Sequence, residues 1–418
     1  MQKIQAAILL AITLLAGCST VPRSDSASTC TPCPNCPACP PVAVAPPVVT
    51  PSTPSPIFSR TFQVSKWADL PGWADDDTAA AWPAFLLSCR GMASRPHGSA
   101  WKRVCDLAKA ADGKSGNDPR RFFEQNLRPY AIVTGDTTTL EATTGPRVNG
   151  LVTGYYEPLL RGSRTRSKGF EQPVRGVPDD LLTIDLSSVF PELKDKRVRG
   201  RLEGNKVVPY WSRAEIGARG DKLPSKTLLY VDDAVELFFL QVQGSGRVKL
   251  ADGSTIRLNY GDQNGHPYQS IGRLLVDRGD LKMEEASMQG IQAWARANPA
   301  RLDDLLNANP SYVFFREMPN SKDGPVGALG VPLTAERSIA IDPRSVPLGV
   351  PVFLATTRPN SAQTMNRLVM AQDTGGAIKG AIRADFFWGF GKEAGEQAGR
   401  MKQSGRLWVL WPADSAPK

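Results

Sequence analysis

The chain has 418 residues, 41% of them hydrophobic and 22% charged, with a formal net charge of +9. That length supports two domains with real cores. The basic excess is spread along the chain without a dense run, which excludes a nucleic-acid groove and fits an anionic envelope polymer or membrane surface.

At the start, Lys3 precedes an apolar run from Ile4 to Leu15. The run is too short to span a bilayer and reads as an export leader. It ends in Leu15-Ala16-Gly17-Cys18, the pattern of a bacterial lipoprotein cleavage box. Residues 1–17 are therefore expected to be removed and Cys18 to be lipidated. Ser19 follows, not Asp, which by resemblance to such lipoproteins favours the outer membrane. No later stretch is apolar and long enough to cross a bilayer, so the expectation is a protein anchored to a membrane, not embedded in it. Residues 18–59 are proline-rich and favour extended polyproline II; at ~3.1 Å per residue this tether could reach on the order of 100 Å. Cys30, Cys33, Cys36 and Cys39 repeat at three-residue spacing within it. An iron–sulfur or zinc site would need a folded framework, so disulfides within or between tethers are expected in the oxidising exported compartment.

In the folded part, "DDDTAAAWPAFLLSCRGMA" opens a helix near Asp77 or Thr78, either of which can cap it, and "WKRVCDLAKAA" continues a helical region. Cys89 and Cys105 are the two thiols after the tether. They are expected to pair, with a stabilisation of ~3 kcal/mol in the loop-entropy account. From Arg147 to Gln263 short strands separated by Gly, Asn and Asp follow, including "GLVTGYYEPLL", "KTLLYVDDAVELFFLQVQGSGRVKL" and "STIRLNYG", as in an all-β barrel. Gln241 and Gln243 are placed on a strand here, alternating with apolar neighbours. "EEASMQGIQAWARANP" reads as a helix with Met288, Ile291, Trp294 and Ala295 on one face. Strands return in "SYVFFRE", "RSIAIDPRSVPLGVPVFLA" and "NRLVMAQDTGG", then a helix near "GKEAGEQAGRMKQ" and a last strand in "GRLWVLWP". There is no tandem repeat.

Only two histidines occur, His97 and His266, with no H-E-x-x-H and no G-x-S-x-G elbow. Histidine-based metal sites and a serine-hydrolase triad are therefore not expected. Asp373-Thr374-Gly375 matches the aspartic-protease triplet, but that chemistry needs two facing aspartates and the second triplet is missing.

"GYYEP" (154–158), "LQVQGSG" (240–246), "NYGDQNGHPYQSIGR" (259–273), "SYVFF" (311–315) and "AQDTGGAIKG" followed by Asp385 occur in this order. Together they resemble the membrane-bound lytic murein transglycosylase A family over about residues 60–415. The segment with Asp342, Asp373 and Asp385 also resembles the three-aspartate module of other wall-active proteins, a double-psi β-barrel. The resemblance implies a mainly β fold with flanking helices: residues 60–149 and 321–418 would form the double-psi domain. Residues 150–320 would be an inserted second β-barrel, with a glycan groove between the two. It implies cleavage of peptidoglycan glycan strands; no cofactor is expected, and no metal, because the folded part lacks a recognisable ligand cluster. Partners in wall-synthesis or hydrolase complexes stay open.

The chemistry of such a reaction needs one acid. It protonates the leaving glycosidic oxygen and then, as a carboxylate, takes the proton of the N-acetylmuramic C6 hydroxyl, which closes a 1,6-anhydro ring with the advantage of proximity. In the family pattern Asp385 is that acid; Ile382, Phe386, Phe387 and Trp388 would desolvate it and keep it protonated. Asp373 is expected to support it or to be structural, and Asp342 to be structural turn chemistry. Tyr155 and Tyr156 offer faces and hydroxyls to sugar rings, or pack the core. Gln241, Gln243, Gly244 and Ser245 are expected at the glycan, with Asn264, His266 and Tyr268 adding contacts from a loop. Glu157 is a conceivable second carboxylate. A water-using glycoside hydrolase and a non-catalytic wall-binding barrel remain the alternatives.

Overall fold

The structure is a computed structural model that describes residues 59–135, 147–193, 196 and 198–417. The leader, Cys18 and the four tether cysteines lie outside the described residues. In chain order the elements are β1 (Ser59–Val64), α1 (Thr78–Met92), α2 (Gly98–Ala111), α3 (Pro119–Asn126), β2 (Leu127–Gly135), β3 (Gly150–Glu157), β4 (Leu159–Ser163) and β5 (Gln172–Arg175). There follow β6 (Leu182–Thr183), β7 (Arg199–Glu203), β8 (Lys206–Pro209), α4 (Arg213–Arg219), β9 (Thr227–Val231), α5 (Ala234–Gln243), β10 (Ser245–Lys249) and β11 (Thr255–Gln263). The chain continues through α6 (Ile271–Asp277), α7 (Met288–Ala297), α8 (Leu302–Asn307), β12 (Val313–Met318), β13 (Ser338–Ile341) and β14 (Pro351–Thr357). It ends with β15 (Thr364–Asp373), β16 (Arg383–Phe390), α9 (Lys392–Arg400) and β17 (Lys402–Pro412).

Six strands form a closed barrel in the order β17-β14-β15-β13-β16-β3, because the start of β17 pairs back onto β3; β2 and β1 extend the sheet from the far end of β17. Ile339, Ile341, Val352, Val369, Ala371 and Phe386 on one face of these strands, and Phe353, Leu368, Met370 and Trp408 on the other, toward the helices, are all essentially buried. Helices α1, α2 and α3 cover one side with Trp82, Phe85, Trp101 and Phe123. Asp77 caps α1 by accepting a hydrogen bond from the Ala80 amide, as its short polar side chain ahead of an alanine run predicts. Cys89 and Cys105 form a disulfide between α1 and α2. The helices are pinned to the barrel by a buried ion pair: Arg337 Nη1 lies 3.0 Å from both Asp76 oxygens, and the Leu368 amide donates to Asp76 Oδ2 at 2.7 Å.

A second six-stranded sheet runs β12-β11-β10-β4-β9-β5, and a bridge between Gly176 and Phe315 joins its two edges. Leu160, Val174, Leu229, Val231, Val248, Leu258 and Phe315 form its core. A small sheet, β6-β7-β8, extends from it, and α5 to α8 pack into a helical cluster around Phe238, Leu275, Ile291 and Trp294. Ile291, Trp294 and Ala295 share the buried face of α7, as expected.

Two expectations are corrected here. The strand carrying "GYYEP" was placed at the start of the inserted barrel; instead β3 is a strand of the first barrel, paired with β16 and β17. Gly154 permits this, since a Cβ there would come within 2.7 Å of the Trp388 ring and 2.9 Å of the Ala398 backbone. The chain passes into the second sheet at Pro158. Second, Gln241 and Gln243 are on the helix α5, not on a strand. Leu237 and Leu240 of α5 face the second barrel while Val235 and Phe238 face the helical cluster. Burial on two sides removes the amphipathic period that would mark a helix.

Candidate active site

The site is a row of residues across the first barrel. Ala340 on β13 is paired with Asp373 of β15 on one side and Asp385 of β16 on the other, and Asp385 is in turn paired with Thr153 of β3. Neighbours in register point to the same face of a sheet, so the two carboxyl groups share a face with one small alanine between them. A register shift between Ile339 and Ala340 sets this pairing; it leaves Gln372 unpaired and buried against α1, where it bonds Ser338, Ser88 and the Ala84 carbonyl.

Asp385 Oδ1 accepts a hydrogen bond from the Thr153 hydroxyl at 2.5 Å, and Arg383 Nη2 donates to that same hydroxyl oxygen at 2.8 Å. Burial pushes the Asp385 carboxyl from its ordinary 3.8 up to about 6, against the pull of Thr153 and the Arg383 charge and with a further rise from the Asp373 charge. Of the apolar residues expected around it, Phe387 shares its face of β16 and packs on Tyr155, whereas Phe386 and Trp388 pack on each other on the opposite face, in the main core.

The other carboxylates are held by donors. Asp373 Oδ1 accepts the amides of Ala328 and Thr374 at 2.9 Å each, and Oδ2 accepts the Tyr155 hydroxyl at 3.1 Å. Asp342 accepts two guanidinium bonds from Arg344 and the Gly380 amide, and these hold its carboxyl below the usual range although burial acts the other way. Glu157, 1% exposed, is paired with Arg247 at 2.9 Å. Burial keeps the Tyr155 hydroxyl protonated, with the Asp373 and Asp385 charges adding to the effect, so it remains a donor to Asp373.

A cleft of about 440 Å³ runs beside this row, lined by Gln241, Gln243, Gly244, Ser245, Tyr260 and Arg316 from the second barrel and by Val326 to Ala328 and Asp373 to Gly376 from the first. Gly244 caps α5 in the left-handed region with φ 80°, which turns the chain sharply from helix into β10. Gln243 accepts the Tyr156 amide at 3.1 Å, tying the two barrels together at the cleft. Gln241 is buried and accepts from Arg213 at 2.6 Å. Asp385 is not itself among the cleft-lining residues; it is one strand pair away from Asp373, which is, with Ala340 between them.

The tyrosine faces are not available for sugar stacking. Tyr155 and Tyr156 are 7% and 8% exposed, one against Phe387 and the other against the backbone of Gly395. Asn264, His266 and Tyr268 are not among the cleft-lining residues. Asn264 braces its loop through the Trp211 and Pro310 carbonyls and the Tyr312 amide, His266 Nε2 donates to the Tyr210 carbonyl, and Tyr268 is 41% exposed. Sequence reasoning missed Thr153, Arg383, Tyr260 and Arg316. The signal for Thr153 was its place in "LVTGYYE", a polar residue in register with a barrel strand, which only the pairing of β3 with β16 reveals. Among the described residues no three His, Cys, Asp or Glu side chains are grouped to hold a metal ion, and no helix is long and apolar enough to cross a membrane.

Comparison with known proteins places this geometry. Residues 151–316 match the family model "MltA specific insert domain" and residues 337–411 match the "3D domain". Membrane-bound lytic murein transglycosylase A of Escherichia coli K12 is 37% identical over 312 residues, covering 72% of this chain and 74% of that protein. The Vibrio cholerae protein of the same name is 31% identical, covering 70% and 75%. Among solved structures, MltA from Neisseria gonorrhoeae is 40% identical with a TM-score of 0.73, covering 88% of this chain and 97% of that one. A membrane-bound lytic murein transglycosylase from Agrobacterium tumefaciens is 31% identical with a TM-score of 0.72, covering 84% and 98%. E. coli MltA with bound chitohexaose is 28% identical with a TM-score of 0.59, covering 85% and 94%. The fold is thus mainly β, a double-psi barrel domain with a second domain and a groove between them. The chain belongs to the membrane-bound lytic murein transglycosylase A family.

Proposed function

We propose that this protein is a peptidoglycan lytic transglycosylase that uses Asp385 as acid and then as base. Asp385 protonates the oxygen of the β-1,4 bond between N-acetylmuramic acid and N-acetylglucosamine. As the carboxylate, it then takes the C6 hydroxyl proton while that oxygen closes on C1 to give a 1,6-anhydromuramic end. One observation carries this reading: the buried carboxyl of Asp385 is raised to about 6, while Asp373 and Asp342 accept from fixed donors on both oxygens and Glu157, which burial also raises, is held by Arg247. A hydrolase would need a second carboxylate able to attack or to activate water, and Asp373 and Asp342 are instead held in place by donors on both oxygens. Asp373 supports the reaction through its charge, and it holds Tyr155 and the Ala328 loop in place.

The glycan strand lies in the cleft, with Gln243, Ser245 and the Gly244 backbone as contacts. That a related E. coli structure holds chitohexaose supports a saccharide ligand. The catalytic domain comprises residues 60–157 and 321–418, and the inserted domain begins at Pro158. Cys18 anchors the protein by lipid to the periplasmic face of the outer membrane, and the proline-rich tether carries the folded part to the wall. The test is mass spectrometry of murein digested by the purified enzyme. Anhydromuramic ends are expected; reducing ends would make it a hydrolase, and no release a binding protein.

A further inference from the structure

Arg383 and Asp385 are two residues apart on β16, so their side chains leave the same face of the strand. Arg383 donates from Nη2 to the Thr153 hydroxyl oxygen at 2.8 Å and from Nη1 to the Leu151 and Ala384 carbonyls. A guanidinium has donors and no acceptor, and a hydroxyl has a single proton. With Arg383 donating into it, the Thr153 hydroxyl points its proton at Asp385 Oδ1, 2.5 Å away. Oδ1 is thereby an acceptor whether or not the acid is protonated. Among the described residues no side chain or amide reaches Oδ2 within hydrogen-bond distance.

We propose that Thr153, oriented by Arg383, is a positioning residue that confines the catalytic proton to Oδ2 of Asp385 and sets the pH at which that proton is lost. The inference rests on the reading of Asp385 as the general acid. The proton on Oδ2 passes to the glycosidic oxygen as its bond to C1 breaks. Oδ2 then receives the C6 hydroxyl proton as the C6–O–C1 bond forms, so the carboxyl ends as it began. The Thr153 proton stays on its oxygen throughout.

A guanidinium paired directly with the carboxylate would hold it ionised at neutral pH. Through one hydroxyl, Arg383 stabilises the carboxylate less, and burial prevails. The charged and titratable groups facing Asp385 are Arg383 on its own strand, Asp373 on β15 and Tyr155 on β3.

The test uses the full chain with Thr153→Val, which keeps shape and loses the donor, and Thr153→Ser, which restores it. Two curves are measured: murein turnover against pH, and thermal midpoint against pH. Losing a hydrogen bond to a charged group should move the Asp385 titration up by about one pH unit in both curves, with Thr153→Ser returning them to wild type. Arg383→Gln is a second arm, expected to shift the same way because the hydroxyl is released to rotate. A shift in the stability curve with an unmoved rate curve would uphold the relay and remove Asp385 as the acid. Unmoved curves in both folded variants would overturn the proposal.

Discussion

Asp373 and Asp385 face each other across Ala340, one on a strand parallel to β13 and the other on a strand antiparallel to it. Equivalent in position, they are opposite in surroundings. Asp373 meets three donors, whereas Asp385 meets one hydroxyl and an apolar wall. Environments that separate two like groups mark the acid from its helper. Asp385→Asn should therefore lower murein turnover by 10²–10⁴, read from release of soluble muropeptides by the folded variant.

Asp373→Asn should do less and should change the pH profile. The Asp373 charge contributes to the rise at Asp385. Removing it lets Asp385 ionise at lower pH, so the alkaline limb of kcat/KM, near 6 in the wild type, should move down. A limb that moves up, or an inactive Asp373→Asn beside an active Asp385→Asn, would transfer the acid to Asp373.

Stability should depend on pH in a defined direction. The folded-state titration of Asp385 lies above its ordinary 3.8, at about 6, so the folded protein holds the proton more tightly than the unfolded chain. Its contribution is complete below 3.8 and is lost as pH rises through 6. The loss amounts to at most about 3 kcal/mol, since the carboxyl keeps some solvent contact. Asp385→Asn should melt higher than wild type at pH 7 and lose that advantage near pH 4. Equal melting differences at both values would place the carboxyl in water.

Much of this site was legible in the sequence and part was not. The apolar setting of Asp385 was legible in part: Phe387, two residues on, shares its face of β16, while Phe386 and Trp388 turn to the opposite face. The α1 cap at Asp77 was legible because its partner amide is local. Thr153 and Arg383 were hidden because their roles depend on β3 lying beside β16, a pairing between residues 232 apart. The tyrosines stayed open between ligand and core for a related reason: a ring on a strand looks the same whether it faces ligand or core, and Gly395 on α9 decides the matter for Tyr156. Helix α5 did carry local signals, with Asp233 capping through the Val235 and Glu236 amides and Gly244 at its end. Its apolar run Leu237–Leu240 and the alternation of Gln241, Val242 and Gln243 outweighed them.

Asp76→Ala tests how the helices are held to the barrel. Both partners are buried, at 3% and 7% side-chain exposure, and removing one leaves the Arg337 charge unpaired. The expected loss is about 3–5 kcal/mol, measured by urea unfolding. Asp76→Ala together with Arg337→Met should recover a large part of it. A loss below about 1 kcal/mol would mean that water reaches Arg337.

Gln243 separates binding from chemistry. It lines the cleft but makes no contact with Asp385, and its side-chain oxygen holds the Tyr156 amide where the two barrels meet. Gln243→Ala removes a polar contact to the glycan and opens this junction. Gln243→Glu keeps the oxygen for the amide and removes the amino donors. If Gln243 reaches the sugar through those donors, both variants should weaken binding of murein oligosaccharides by about tenfold, the worth of one neutral hydrogen bond. If it serves only the junction, Gln243→Ala should bind weakly and melt early, while Gln243→Glu stays near wild type in both. Calorimetry with non-cleavable chitooligosaccharides and thermal melts of the two variants distinguish these outcomes, because the glycan and the Tyr156 amide engage opposite ends of the same side-chain amide.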